Sequence, residues 1–478
     1  MATVRQLANQ AFSRAAGAAL IEGNSVRLLR DARENYPAWL DAIGRATRSV
    51  HFENYIFYDD ETGARFADAL IRKAKDGVRV RLIYDWLGCL GSASRKFWSR
   101  LRAGGVEVRC YNPPRLESPL GWLSRDHRKM LAVDGEVGFV TGLCVGRRWE
   151  GMPEKNVEPW RDTGIEVRGP AVAEIEAAFA QVWAMTGAAL PPEDLVERSA
   201  PVGNVALRIV ASVPATAGMF RLDQLIAALA QDRLWLTDAY YAGTPSFVEG
   251  LRAAAKDGVD VRLLMPNATD VLLLQPLSRA GYRALIEAGV RVFEWNGTML
   301  HAKTAVADGR WARVGSTNLN IASWFGNCEL DAVIEDKPFA QQMEQMYVED
   351  LANATEVVLD ARSKPRAPGR PPHSRVRSLR GGGSAGRAAA GAVRIGNAIG
   401  AVFTNRRSLD PIEARIALTA GLLLCVLSVV IALFPQVLAY PLVGIGGWAG
   451  IALLYRGYRL QRARGKEAVA PAQPASKT

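Results

Sequence analysis

Three segments of the chain occur twice, in the same order and at nearly the same spacing. AKDGVRVRLIYD (Ala74 to Asp85) returns as AKDGVDVRLLMP (Ala255 to Pro266), GVEVRCYN (Gly105 to Asn112) as GVRVFEWN (Gly289 to Asn296), and HRKMLAVDG (His127 to Gly135) as HAKTAVADG (His301 to Gly309), at offsets of 181, 184 and 174 residues. Ordered matches at a near-constant offset mean a duplicated unit, and any fold must then accommodate the same design twice. Each copy begins with an apolar strand, SVHFENYIF or RLWLTDAYY, that leads into an amphipathic helix, ARFADALIRKAKDG or SFVEGLRAAAKDG. Asp-Gly closes that helix, because glycine tolerates the left-handed cap. A Val-rich strand, a second helix and a strand ending in Asn follow. Alternating strands and helices at this spacing predict an α/β fold, each copy a mixed β-sheet flanked by helices, over residues 23–200 and 201–360.

The ends of the chain differ from this pattern. Val4, Leu7, Phe12 and Ala15 predict an amphipathic helix within residues 1–22, packed on the chain itself, and no signal peptide is read there. Residues 361–412 are rich in Pro, Gly, Ser and Arg and are expected to form a flexible basic linker. Ile416 to Tyr455 carries no charged residue, and Pro435 and Pro441 interrupt it near the middle. A run of that length suffices for two spans of about 20 residues, so a transmembrane helical hairpin is expected over 413–456, followed by a basic tail, 457–478. Arginines flank the hairpin on both sides and its turn has none, which predicts both ends, and the repeats with them, on the cytoplasmic side of the inner membrane.

The net charge of +11 is unevenly spread. Residues 361–478 hold 18 basic and 3 acidic side chains, whereas residues 1–360 hold 41 basic and 45 acidic ones. The duplicated part therefore lacks the overall basicity of a nucleic-acid-binding domain, and no nucleic acid partner is expected. The five cysteines stand singly, without CxxC spacing, so neither a disulfide framework nor a zinc site is expected, and a reducing compartment fits.

The chemistry concentrates in the third repeated segment. The chain has only four histidines, and two of them, His127 and His301, each lie two residues before a lysine, Lys129 and Lys303. Residues two apart on a strand share a face. Duplication can bring two such faces together, so that two histidines and two lysines share one cleft. The lysines would neutralise phosphodiester oxygens, one imidazole would attack phosphorus, and the other would protonate the leaving oxygen. That chemistry needs no metal and no cofactor. Each histidine also needs a carboxylate on its far nitrogen. Asp162 in WRDTGIEV and Glu329 in NCELDAVI, each at the start of an apolar strand, are the candidates.

These segments resemble the paired HKD signature of the phospholipase D superfamily. His301, Lys303, Asp308, Gly315, Ser316 and Asn318 match it fully; His127, Lys129 and Asp134 match it in the first copy, where Gly142 stands in place of the serine and Cys144 in place of the asparagine. NYIFYDD, HRKMLAVDG, WRDTGIEVRGPAV and GSTNLNIASWFGNCELD are most similar to segments of bacterial cardiolipin synthases. The resemblance covers roughly residues 23–360. It implies a phosphatidyltransferase with a phosphohistidine intermediate, acting on anionic, phosphatidylglycerol-like membrane lipids. By that analogy His127 is the nucleophile and His301 the general acid and later base; the residues themselves leave the order open. Lys129, Lys303, Asp134 and Asp308 complete the catalytic set, the two aspartates, each before a glycine, being expected to brace the turn as much as they touch the chemistry, and Gly142, Ser316 and Asn318 are expected to hold phosphate oxygens. A thiol is a weak donor, so Cys144 makes the half-sites unequal. A hydrolytic phospholipase D or a nuclease of the same fold is the alternative, and a non-catalytic scaffold fits poorly with two intact HxK motifs.

Overall fold

The computed structural model describes residues 4–115, 123–270, 274–359 and 365–366, with isolated positions between 422 and 455. Helix α1 (Val4–Ala16) comes first. The first repeat then runs β1 (Ile21–Arg30), α2 (Asp31–Arg45), β2 (Ser49–Asn54), α3 (Glu61–Lys75), β3 (Arg79–Asp85), α4 (Arg95–Ala103), β4 (Glu107–Tyr111), β5 (Lys129–Val133), β6 (Val137–Thr141), α5 (Arg147–Glu150), β7 (Thr163–Arg168) and α6 (Val172–Met185). The second runs β8 (Val205–Ser212), α7 (Gly218–Leu229), β9 (Arg233–Thr237), α8 (Pro245–Lys256), β10 (Asp260–Pro266), α9 (Leu274–Ile286), β11 (Arg291–Trp295), β12 (Thr304–Ala307), β13 (Trp311–Gly315), β14 (Glu329–Glu335) and α10 (Lys337–Leu351). Strands β15 (Ala354–Leu359) and β16 (Pro365–Arg366) follow.

The repeat is complete at the level of strand order. The first half reads β1-β7-β6-β5-β2-β3-β4 across its sheet and the second reads β8-β14-β13-β12-β9-β10-β11. In each, three strands are parallel (β2-β3-β4 and β9-β10-β11) and the others antiparallel, the mixed sheet that the sequence predicts. Asp76-Gly77 and Asp257-Gly258 end α3 and α8, with φ of +87° and +96° at the glycines. All six residues of β2 are buried, as expected for a parallel strand covered on both faces.

Edge strands β1 and β8 pair antiparallel, with Ile21 opposite Leu207, and join the halves into one sheet. The central apolar cluster draws on both halves: Ile165, Val167 and Phe179 from the first, Leu330, Ala332 and Phe339 from the second. The two repeats together make one compact unit, within residues 1–111 and 124–406, because a sheet edge and an apolar face left bare by each half are satisfied by the other. Helix α1 packs, as expected, on the chain itself, though against the second half: Phe12 and Ala16 meet the cluster built on α7.

Residues 112–123 and 407–478 make up a second unit. The linker, 361–412, falls outside the described residues apart from the short β16, and the hairpin, 413–456, largely outside them; Leu422, Leu433, Val443 and Leu454, which are described, are exposed. Among the described residues no helix is long and apolar enough to cross a membrane.

One buried ion pair anchors α7 to the sheet. Arg313 on β13, fully buried, donates to both oxygens of Asp223 at 2.8 and 2.9 Å, and Trp324 Nε1 donates to the same carboxylate at 3.2 Å. Burial pushes Asp223 up to about 6, against the pull of Arg313. Removing one partner of such a pair leaves a bare charge in the core. Asp223→Ala is expected to lower unfolding free energy by about 3–5 kcal/mol in a denaturant titration, and a loss below about 1 kcal/mol would show that Arg313 finds water there.

Candidate active site

Both HxK motifs sit at the C-terminal ends of parallel strands, where open α/β sheets place their ligands. Lys129 opens β5 opposite Asn54, the last residue of β2; Thr304 opens β12 opposite Thr237, the last residue of β9. The chain just before each motif runs along the other half. His127 N–H donates to Cys328 O at 2.9 Å and Cys328 N–H to Arg125 O at 2.7 Å. His301 N–H donates to Arg161 O at 2.7 Å and Arg161 N–H to Met299 O at 2.9 Å.

The carboxylates cross over in the same way. Glu329, which follows the second motif, lies 2.9 and 3.1 Å from Nδ1 of His127, while Asp162, which follows the first, lies 2.7 Å from Nδ1 of His301. Both carboxylates are completely buried. With Nδ1 engaged, each imidazole has Nε2 left for chemistry. Trp149 Nε1 and the Thr163 N–H donate to Asp162, each at 2.9 Å; Asn327 Nδ2 donates to Glu329 at 3.1 Å, and the hydroxyls of Ser316 and Ser323 also serve that carboxylate. Burial works against the charge of Asp162, but His301, Lys303 and Trp149 hold its carboxyl below the usual range. Burial raises Glu329, and Lys129 is the main opposing influence.

Lys129 and Lys303 are buried, each donating to the backbone oxygen of its own histidine, His127 or His301. Their ammonium groups lie 5.1 Å from the Tyr55 ring centre and 5.7 Å from that of Tyr240. Those rings stand edge-on to the imidazoles, Tyr55 at 4.8 Å from His127 and Tyr240 at 5.7 Å from His301. Lys303 Nζ is also 3.1 Å from Nε2 of His301. Burial first, then the charge of Lys303, lowers His301 to about 4, so the imidazole is neutral at pH 7. Burial lowers Lys303 to about 8, with Lys129 adding to the effect. The two lysines therefore act on one shared space.

Asp134 and Asp308 make their contacts apart from that cluster. Each follows a strand whose other end carries the lysine, about 15 Å away at the usual rise per residue. Each takes up a positive φ, +56° and +50°, tolerated by aspartate better than by most residues. Asp134 accepts the N–H groups of Thr47, Arg48 and Ser49, each at 2.8 Å; Asp308 accepts those of Gln231, Asp232 and Arg233 at 3.0, 2.8 and 3.0 Å. They brace the entry to β2 and β9.

The loops after β6 and β13 line the centre unequally. A Cβ on Gly142 would lie 2.1 Å from Oδ1 of Asp162, so no serine fits there. The longer Glu329 leaves room for Ser316, whose Oγ accepts the Leu330 N–H at 2.9 Å. Asn318 is buried and its Oδ1 has no protein partner. Cys144, in the matching place, is buried with Lys129 and Lys303 as its nearest cationic influences; burial still raises the thiol, which stays neutral. Among the described residues no group of His, Cys, Asp and Glu is placed to hold a metal ion.

Two arginines and a tryptophan that the sequence does not single out support the centre. Arg128, between His127 and Lys129, points away from them and donates to Glu329 O, Ala178 O, Ser212 O and Gln181 Oε1 at 3.2, 2.6, 2.9 and 3.0 Å. Arg161 grips Asp350 of α10 with two bonds, at 2.9 and 2.8 Å, and so fixes Asp162 next to it. Trp149 stands edge-on to His301 at 5.5 Å while bonding Asp162. Their signal was present as an arginine beside each proposed site residue, but nothing in the spacing named the partner.

Asp134→Ala is expected to cost about 2–3 kcal/mol of stability through three unsatisfied N–H groups, with turnover of the folded fraction retained within about tenfold. Asp162→Asn is expected to do the reverse, losing at least about 100-fold in kcat with little change in unfolding. Measuring both quantities on both variants separates brace from orienting group. A second expectation concerns pH. Lys303 is charged below its value of about 8 and loses charge above it, so kcat/KM on an anionic phosphodiester should fall as pH rises through 8. Lys303→Arg, which stays charged, should remove that limb.

Comparison with known proteins identifies the family. A family model described as "Cardiolipin synthase, PLD-like domain" matches residues 39–183 and 224–351. Cardiolipin synthase from Alkalihalophilus pseudofirmus is 31% identical, over 70% of this chain and 67% of that protein. Cardiolipin synthase A from Pseudomonas fluorescens SBW25 is 33% identical over 70% of each, and that from Pseudomonas aeruginosa LESB58 is 34% identical over 72% of this chain and 71% of its own. The crystal structure of phosphatidylserine synthase from Haemophilus influenzae shares the fold at a TM-score of 0.58 and 13% identity, across 73% of this chain and 91% of that one. With its duplicated sheet and paired histidine–lysine motifs, the chain belongs to the cardiolipin synthase family of PLD-like proteins and is a phosphatidyltransferase of the phospholipase D superfamily.

Proposed function

We propose that this chain makes a cardiolipin-type lipid, moving a phosphatidyl group from a phosphatidylglycerol-like donor to the alcohol of a second such lipid through a phosphohistidine. The observation that carries this reading is the crossed pairing of His127 with Glu329 and His301 with Asp162 around two buried lysines. Nε2 of His127 attacks phosphorus; the bond to the donor's glycerol oxygen breaks, and that oxygen takes the proton from Nε2 of His301. The acceptor hydroxyl then attacks phosphorus, returns a proton to His301 Nε2, and the phosphorus–nitrogen bond to His127 breaks. Lys129 and Lys303 neutralise the non-bridging oxygens, with Asn318 and the backbone near Gly142 and Ser316 as further donors. The uncharged run Ile416 to Tyr455 would hold the chain in the bilayer, and the 18 basic residues of 361–478 would draw it to anionic headgroups from the cytoplasmic face.

The neutral state of His301 bears directly on this mechanism. A general acid must carry a proton, and a value of about 4 leaves it without one at pH 7. A phosphodiester arriving between Lys129 and Lys303 offsets the charges that depress it, so substrate binding and protonation of His301 are linked. Binding of a non-reactive phosphodiester analogue at pH 7 should therefore take up close to one proton, read by titration calorimetry in buffers of different ionisation heat. His301→Gln should abolish the uptake. Labelled lipid should give an acid-labile phosphoryl adduct on His127, and label on His301 would reverse the two roles. Product analysis with and without added alcohol separates transfer from hydrolysis: phosphatidic acid as the sole product at every alcohol concentration would replace the transferase reading with a hydrolase.

A further inference from the structure

The two half-sites differ in one further respect that the reaction as written leaves unused. Arg148 of α5 is within cation–π reach of two aromatic rings, its Cζ 5.2 Å from the centre of Tyr58 and 5.7 Å from that of Trp160. The Trp160 ring is in turn 5.7 Å from the ring of His301, tilted over it. Arg148, Tyr58 and Trp160 are all half-buried, at the open side of the cluster. Among the described residues Arg148 has no carboxylate partner, whereas its neighbour Arg147 pairs with Glu61 and Glu154. A guanidinium held near two rings by cation–π attraction, with no carboxylate on it, keeps N–H donors for an anion. By the spacing that matches Gly142 with Ser316, the second half carries Ala322 where the first carries Arg148, and the exposed Ile321 and Phe325 flank it. A cation thus stands one ring away from His301, across Trp160, and only apolar side chains hold the equivalent place.

We infer that Arg148 binds the phosphodiester which the acceptor lipid itself carries, and so selects an anionic lipid alcohol over a neutral alcohol or water. The inference rests on the proposed transferase reaction, in which His301 deprotonates the acceptor. An acceptor hydroxyl within about 3 Å of Nε2 has its own phosphorus up to about 6 Å further along a three-carbon chain at ordinary bond lengths. A phosphate bonded to a guanidinium lies about 4 Å from Cζ. The two 5.7 Å steps place Arg148 Cζ within about 11.4 Å of the His301 ring, inside that reach. A free alcohol lacks the second anion and makes no use of the arginine. The donor's phosphate lies between the lysines, so formation of the phosphoenzyme does not require Arg148.

The test uses the full-length protein in phosphatidylglycerol vesicles supplied with labelled glycerol. The phosphoenzyme then partitions among three acceptors: phosphatidylglycerol, giving a cardiolipin-type lipid; labelled glycerol, giving exchange; and water, giving phosphatidic acid. The ratio of these products does not depend on how fast the intermediate forms. Arg148→Gln should lower the ratio of lipid product to exchange product by about 10–100-fold, the range for a lost charge-assisted bond, while the phosphoenzyme burst remains. Arg148→Lys, which keeps the charge, should recover part of the ratio. An unchanged ratio in the glutamine variant, or an equal fall in all three products, would overturn the inference and leave the transferase reading standing. A wild-type protein that forms neither lipid nor exchange product would overturn both.

Discussion

Everything at the centre depends on each histidine taking its carboxylate from the other repeat. Within one half alone, His127 would have no partner for Nδ1, and Asp162 would be a carboxylate buried with no imidazole to bond. A buried ion without a partner is unfavourable by several kcal/mol. The halves are therefore held in register by electrostatics at the site as much as by the β1–β8 pairing at the sheet edge and the shared apolar cluster. Arg161 links the two scales. Its backbone receives the segment before His301, its side chain grips Asp350 of the second half, and the next residue is Asp162.

The duplication is not kept to the atom, and the departures are coupled. Asp162 is one methylene shorter than Glu329, and the space directly below it admits only Gly142; the longer Glu329 leaves a place that Ser316 fills and bonds. The first carboxylate is steadied instead by the indole N–H of Trp149, whose position in the other half belongs to Ser323. Two equal imidazoles would have no reason to divide the work of nucleophile and acid. Unequal surroundings supply one. His301 sits among Trp149, Trp160 and Tyr240 with Lys303 against its Nε2, whereas His127 faces Tyr55.

Much of this could be read in the sequence, and the parts that could not share a cause. The repeats were legible because helix ends and strands leave local marks, such as Asp76-Gly77 and Asp257-Gly258. The histidines and lysines were legible because reactive residue types recur at one spacing. The bracing role of Asp134 and Asp308 was legible because each precedes a glycine, and a strand separates each from its lysine, so that the carboxylates hold backbone at the other end. The crossing of Asp162 and Glu329, and the struts Arg128 and Arg161, depend on which half faces which, and no local pattern encodes that. Alternation gives only the direction. Arg128, between two residues that face the site, must face away from it, and what waits there is the other repeat.

The charge balance of the centre explains why an anion should bind there. Two lysines are taken out of water where their own histidines offer only backbone oxygens and ring edges, and burial lowers Lys303 to about 8 as a result. Asp162 and Glu329 offset part of that charge, yet both are committed to the imidazoles, and the burial that raises Glu329 weakens its contribution. The fold thus holds two ammonium groups out of water and close enough for Lys129 to lower Lys303, a placement that an anion between them would relieve. Preorganised charge of this kind is unfavourable in the folded protein and favourable in the complex, because a phosphodiester supplies the missing negative charge without the side chains having to move. Burial first, then the charge of Lys303, holds His301 low, so the proposed acid role of His301 requires that its protonation be linked to substrate binding.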